Sequence, residues 1–290
     1  MVARVKNQDS KSNSETRRAK PGSAGNAKRL RSVFPRGSKP LQWSTSPASL
    51  NRFLADVSRP KPSLTLEDFE AWLLGIEPRC GDPAIGLECV AWTHWLDAIA
   101  GQTSGLAQEL PELIVGVLAQ RSICSSPLSR LWLLSEFPLT LALVCPSLVS
   151  DTVIQQALSE LQASLDETVD ATGWKSPEAW ADSLALMASW TRCGYLCRAG
   201  RNRWFTGPQL DHWNAALRQL LRGDSLACGH ASDAVANAER LTSFDAMTAA
   251  AVEFAGDAET RKLAKRRTER TAAAVAKSGK KDRKSTRLNS

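Results

Sequence analysis

The segment Asp151–Val169, with the sequence DTVIQQALSELQASLDETV, decides the fold class. Its apolar residues recur at intervals of three and four and lie on one helical face: Val153, Ile154, Ala157, Leu158, Leu161 and Leu165. Polar side chains such as Gln155 and Glu160 lie on the other side. This pattern predicts an amphipathic α-helix that packs against a core along one face.

The sequence on both sides of this segment repeats the same periodicity. It predicts further helices at 47–57, 66–74, 83–100, 110–119, 126–137, 177–191, 209–221, 234–241 and 246–255, with a short apolar segment at 138–144. Thr65 and Asp68 have the spacing of a capping box and predict a helix start at Leu66. No stretch alternates between polar and apolar residues as a strand does, and no fixed repeat aligns. We therefore predict an all-α fold, either an irregular array of helical hairpins or an α/α toroid or part of one.

Charge divides the chain into segments of opposite sign. Residues 1–42 hold 11 Lys and Arg against two acids, 43–260 hold 14 against 26, and 261–281 hold nine against one. This predicts a disordered basic segment at 1–42, a helical domain at 43–260 and a basic linker or helix extension at 261–281. Because the domain is acidic, it repels phosphate, and any nucleic acid contact is expected through the basic ends alone.

The cysteines and the missing motifs limit the chemistry. Seven cysteines without a disulfide spacing predict buried thiols in a cytoplasmic protein, and neither a signal peptide nor a membrane-spanning segment is seen. Cys193, Cys197, Cys228 and His230 have ligand chemistry for zinc, but their spacing matches no structural zinc pattern. No nucleotide-binding loop or hydrolase motif occurs either. We predict neither a metal nor a cofactor.

Ten tryptophans are the most unusual feature of the composition. Most fall at apolar positions of predicted helices, where large core aromatics are expected. The loop segment around Arg201, Arg203 and Trp204 fits either a cationic aromatic platform for an acidic sugar or nucleobase, or a plug between helices. His94 and His212 are candidate general bases, with core or surface positions as the alternative.

Three short segments resemble the N-terminal helical part of heparinase II/III-like proteins. They are Trp190-Thr191-Arg192-Cys193, the Trp204-Phe205 loop and the helix end at 220–224. The resemblance implies a helical toroid followed by a β-sandwich, and cleavage of an acidic polysaccharide by β-elimination. It adds Tyr195 to His94 and His212 as catalytic candidates, although the helical part need not be catalytic alone. The alternative is a helical scaffold that binds a protein partner.

The last nine residues, Asp282–Ser290, resemble a translated reading frame of a short-read sequencing adapter. We therefore exclude them from the fold prediction. The natural chain is expected to continue beyond Lys281, where the β-sandwich implied by the resemblance would lie.

Overall fold

The computed structural model describes residues 29–43, 48–59, 61–76, 82–99, 124, 126–223 and 234–270. The helices are α1 (Arg29–Val33), α2 (Ala48–Val57), α3 (Leu66–Leu74), α4 (Ile85–Ile99), α5 (127–144), α6 (Asp151–Thr168), α7 (Pro177–Ala181), α8 (Ser183–Ala199), α9 (Gly207–Arg222), α10 (Ala234–Ala255) and α11 (258–270). Single 3-10 turns occur at Pro40–Gln42 and Pro146–Leu148. The predicted all-α class is confirmed.

Helix α8 lies at the centre of the packing. Every residue from Ala185 to Cys197 is buried, so this helix is enclosed on all sides. It contacts α5 on one side and α10 on another, and α5 in turn packs against α4 and α6. Within the described residues, no helix is both long and apolar enough to cross a membrane.

Helix α5 continues past residue 137, where the sequence predicted its end, and includes Pro138. It consists of Pro127–Arg130 in α-helical form, a π-helical segment Leu131–Glu136 and a further α-helical segment Phe137–Val144. The predicted helix end at residue 137 is therefore wrong. Proline lacks an N–H and clashes with the carbonyl four residues earlier, and the wider π turns before it relieve this conflict. The Phe137 N–H bonds the carbonyl of Trp132, five residues back.

Side-chain caps fix several helix starts where the sequence indicated them. Thr65 and Asp68 form the predicted reciprocal capping box at the start of α3. Ser126 caps α5, and Ser150 accepts a hydrogen bond from the Val153 N–H at the start of α6. Each cap satisfies backbone N–H groups that have no partner inside the helix.

Two predictions along the chain are corrected. Val169–Asp170 and Gly173–Trp174 form a two-residue antiparallel hairpin after α6, where no strand was expected. Ala234–Ala255 is one continuous helix rather than two, because the polar residues between its apolar stretches do not interrupt the backbone. The predicted helix at 110–119 lies outside the described residues.

The expected domain boundary at residue 43 also lies too late in the chain. Leu30 and Phe34 are buried, as are Leu41 and Trp43 on either side of the first 3-10 turn. Residues 29–42 are therefore part of the packed structure, despite their basic composition. A few large apolar residues are enough to anchor a segment whose other side chains remain in solvent. At the other end, the chain is helical over 258–270.

Gly86 lies where α4 packs tightly against the π-helical segment. A Cβ atom there would lie 2.7 Å from the Leu133 backbone nitrogen and 2.8 Å from the Trp132 Cβ. We expect Gly86→Ala to lower the free energy of unfolding by about 1–3 kcal/mol, because the helices must separate. Gly207→Ala is the control, since a Cβ atom there meets nothing within 4 Å. Urea denaturation measures both, and equal effects would contradict the close packing.

Candidate functional site

A buried ion pair joins α5 to α8. The guanidinium of Arg192 donates from Nη2 to Glu136 Oε2 at 2.9 Å and from Nε to the other carboxylate oxygen. Ser189 also donates its hydroxyl to Glu136, and Arg192 Nη1 donates to the Pro40 carbonyl at 3.2 Å. The side chains of Glu136 and Arg192 are 0% and 1% exposed. Because each charge has its partner and further hydrogen bonds, the pair is satisfied inside the core.

His94 lies beside this pair, on α4, and is partly buried. Its imidazole stacks on Phe34, with ring centroids 6.0 Å apart and planes at 23°. Burial and the positive charge of Arg192 lower the pKa of His94 from 6.5 to about 3. His94 is therefore neutral near pH 7, with little basicity for proton abstraction.

Tyr195 also contacts Phe34, with ring centroids 6.0 Å apart and planes at 59°. It is buried, its ring also contacts Phe254 at a centroid distance of 5.3 Å, and its hydroxyl donates to the Ala250 carbonyl at 3.1 Å. Burial, together with the charge of Glu253, raises the pKa of Tyr195 to about 12. Two of the predicted catalytic residues thus contact the same aromatic ring, that of Phe34.

The third catalytic candidate, His212, lies on α9 and is half-buried. Its Nδ1 atom is buried without a hydrogen-bond partner in the described part of the chain. His212 lines neither of the two described surface cavities, and neither do His94 and Tyr195.

The predicted platform is divided between surface and core. Arg201 and Arg203 are exposed, and Arg201 has a positive φ of 59° in the turn after α8. Trp204, in contrast, is buried: its ring packs against Phe254 at 5.7 Å, and its carbonyl accepts a hydrogen bond from Gln162. Trp204 has the position expected of an interhelical plug, with its indole directed into the packing.

The cysteines have the environment of core residues. Cys89, Cys193 and Cys197 are buried, and burial raises the pKa of Cys197 to about 12. Among the described residues, no three His, Cys, Asp or Glu side chains come together as metal ligands. Cys228 and His230 lie outside the described residues. The zinc site that would combine them with Cys193 and Cys197 is therefore not tested.

An open cavity of about 670 Å³ lies between the hairpin, α7 and the end of α9. We call it the tryptophan cleft; it is lined by Trp174, Lys175, Ser176, Pro177, Trp180, Gln219, Arg222 and Gly223. One face of Trp174 is covered by Trp190, with centroids 5.6 Å apart and planes at 10°. Trp180 meets Trp174 edge to face at 6.3 Å. Both cleft indoles are only partly buried.

The hairpin holds Trp174 in place through Gln219 of α9. The Gln219 side chain accepts from the Trp174 N–H at 3.1 Å and donates to the Thr172 carbonyl at 2.7 Å. Gly173 has a φ of 118°, and a Cβ atom there would lie 2.3 Å from Gln219. The turn thus requires glycine, both for its backbone conformation and for the approach of Gln219. The Trp174 Nε1 donates to the Ala216 carbonyl at 3.3 Å.

Two cations border the cleft. Lys175 is exposed and donates to the Asp166 carbonyl, while Arg222 is 58% exposed and pairs with Glu259 at 2.9 Å. Exposed pairs of this kind are weak, so the Arg222 guanidinium can exchange its partner for an anionic ligand. Apolar periodicity gives no indication that Trp174 lies close to Trp180 and Arg222. The Ser176-Pro177 helix start after Trp174 was the available signal that two indoles would lie close together.

No family model matches the chain, and no curated protein or solved structure shows significant similarity to it.

The buried ion pair generates a prediction about stability. Glu136→Gln leaves the Arg192 charge buried without a counter-charge, and we expect it to cost about 3–5 kcal/mol in the free energy of unfolding. The control is Glu167→Gln in the exposed pair with Arg130, where we expect at most about 1 kcal/mol. Urea denaturation at pH 7 measures both. Similar losses in the two variants would show that Arg192 does not need this partner.

The low pKa of His94 predicts a pH-dependent stability. From pH 6.5 down to about 3, the unfolded chain binds a proton at His94 that the folded chain does not. Lowering the pH through this range therefore destabilises the fold, and the loss is absent above it. We expect the urea midpoint to fall more between pH 7 and 5 in the unsubstituted protein than in His94→Gln. An equal fall of the urea midpoint in the two proteins would mean that the His94 imidazole is solvated and that its pKa is not lowered.

Proposed function

We propose that the chain is a helical domain that binds an acidic saccharide chain in the tryptophan cleft, without catalysing its cleavage. The observation that carries this proposal is the pairing of two partly exposed indoles with Lys175 and Arg222 in one open cavity. Sugar rings present apolar C–H faces that pack on aromatic rings, and uronate or sulfate groups pair with cations. A cavity of about 670 Å³ has the size of ordinary ligand sites.

The arrangement of the cleft supports a binding role for its tryptophans. Trp174 is supported from behind by Trp190 and held by Gln219, so one indole is fixed before a ligand arrives. Preorganisation of this kind lowers the entropy cost of binding. The openness of the cavity to solvent suits a segment of a long chain rather than an enclosed small molecule.

The proposal agrees with the resemblance to the helical part of heparinase II/III-like proteins, which act on acidic polysaccharides. It assigns the chain the binding role only. His94, Tyr195 and His212 line neither described cavity, and the pKa values of His94 and Tyr195 are shifted away from neutrality. A general base for β-elimination needs a pKa near the working pH and contact with the substrate.

A helical scaffold for a protein partner is the second candidate. It is favoured by α3, where the large apolar side chains Leu66 and Leu74 are 41% and 87% exposed. Such exposure is common at sites where proteins associate. This candidate does not require the tryptophan cleft, and it remains if acidic saccharides fail to bind there.

Charge-neutralising substitutions in the cleft test the saccharide proposal. The double variant Lys175→Gln/Arg222→Gln removes both cations, and we expect at least about a tenfold loss of affinity for a polyuronate oligosaccharide, since charged hydrogen bonds contribute about 1.5–3 kcal/mol each. Isothermal titration calorimetry measures the binding. Trp180→Ala should cause a comparable loss, because it removes one indole.

The matched control is Arg201→Gln/Arg203→Gln, which removes the same charge from exposed positions outside the cleft. We expect its affinity to stay within about twofold of that of the unsubstituted chain. The corresponding free-energy change is well below the 1.4 kcal/mol of a tenfold change in affinity. A larger loss in this control than in the cleft variant would restore the loop of Arg201 and Arg203 as the binding surface. Absence of any saccharide binding by the unsubstituted chain would overturn the proposal.

A further inference from the structure

Helix α11 has a strongly cationic exposed face. Five basic side chains are exposed along it: Arg261, Lys262, Lys265, Arg266 and Arg270. We call this set the α11 cationic face. No ion pair joins any of the five to another described residue. Their charges are thus not compensated by direct contacts within the described structure.

The cationic face lies opposite the side on which α11 packs. Thr260 is buried, Leu263 and Ala264 pack against the core, and the Arg267 guanidinium lies 4.4 Å from the centroid of the Phe244 ring. At about 100° per residue, the midline of this packing side is about 160° from the midline of the cationic face. The face therefore points away from the domain.

The composition of the face limits the kind of partner. Leu263 and Ala264, the apolar residues in the middle of α11, are already packed, and no large apolar side chain is exposed on the described part of this helix. A helix that inserts into a membrane surface or into a protein groove needs an exposed apolar stripe. No aromatic ring lies among the five cations, so nothing is provided for stacking on bases or sugars. Only electrostatic contacts are available.

We propose that the α11 cationic face binds the phosphate backbone of duplex nucleic acid without reading its sequence. The five cations extend over about 14 Å at 1.5 Å per residue, and a duplex presents about one negative charge per 1.7 Å of its axis. Arginine is suited to phosphate because its fork of N–H groups forms two parallel hydrogen bonds. This surface is separate from the tryptophan cleft and does not depend on saccharide binding there.

The acidic charge of the rest of the domain favours one orientation on the nucleic acid. Residues 43–260 carry 26 acids against 14 Lys and Arg, so most of the domain repels phosphate. Asp245 and Glu253 line a groove of about 370 Å³ beside Arg261 and Lys265, and they limit the cationic face on that side. Within residues 261–270, Glu269 is the only acid. We therefore expect contact centred on Lys262, Arg266 and Arg270.

The test measures binding of the full chain to a labelled 20-base-pair DNA by fluorescence anisotropy at several salt concentrations. The variant replaces Lys262, Lys265, Arg266 and Arg270 with Gln. Each phosphate contact contributes about −0.9 to the slope of log affinity against log salt, so the slope should weaken by about 3–4. At moderate salt, we expect at least a tenfold loss of affinity.

The control variant removes four charges from the N-terminal segment by replacing Lys6, Arg17, Arg18 and Lys20 with Gln. A loss as large as that of the α11 variant would overturn the proposal, because it would mean that total charge alone determines binding. Competition by a sulfated polysaccharide or by anionic lipid vesicles provides the other comparison. The assignment to nucleic acid is wrong if two results occur together. One is that either competitor displaces the unsubstituted protein from duplex DNA at equal charge concentration. The other is that binding of that competitor is lost when the same four residues are replaced.

Discussion

The ion pair between Glu136 and Arg192 is the constraint on which the rest of the packing depends. Two charges with almost no solvent access must meet at the contact of α5 and α8. A buried pair contributes little net stability compared with an apolar pair of the same size, but separating its members is costly. We infer that the pair acts mainly on the specificity of packing, because an arrangement of the two helices that does not bring these residues together leaves a buried charge unpaired.

The π-helical segment is connected with this requirement. It ends at Glu136, and the additional residue in a π turn rotates the side chains that follow by about 100° relative to a regular α-helix. The same segment accommodates Pro138 and lies against Gly86 of α4. A local irregularity of the backbone thus sets the direction of the carboxylate, the continuity of α5 and the distance to α4.

The sequence predicted the helical class and many helix starts, because apolar periodicity and side-chain caps are local signals. The capping box of Thr65 and Asp68 is an example that the structure confirms. The pairing of Glu136 with Arg192 is not local, since 56 residues separate them. The continuation of α5 through Pro138 was missed because the rule that proline ends a helix assumes regular α-helical turns. The tryptophan cleft was missed because it depends on Gln219 reaching back 45 residues to the Trp174 N–H.

Helix α8 connects the core to the candidate binding surface. The helix that carries Arg192 also carries Trp190, whose indole is fully buried and covers one face of Trp174. Its Nε1 lies 3.4 Å from the Ser164 hydroxyl of α6, which further limits the position of the ring. The position of Trp174 in the cleft therefore depends on the packing of the core. A rotation of α8 that broke the ion pair would also displace Trp190, which covers one face of Trp174. For this reason Glu136→Gln is expected to disturb the cleft as well as the stability of the fold, whereas substitutions on the exposed face of α11 leave both intact.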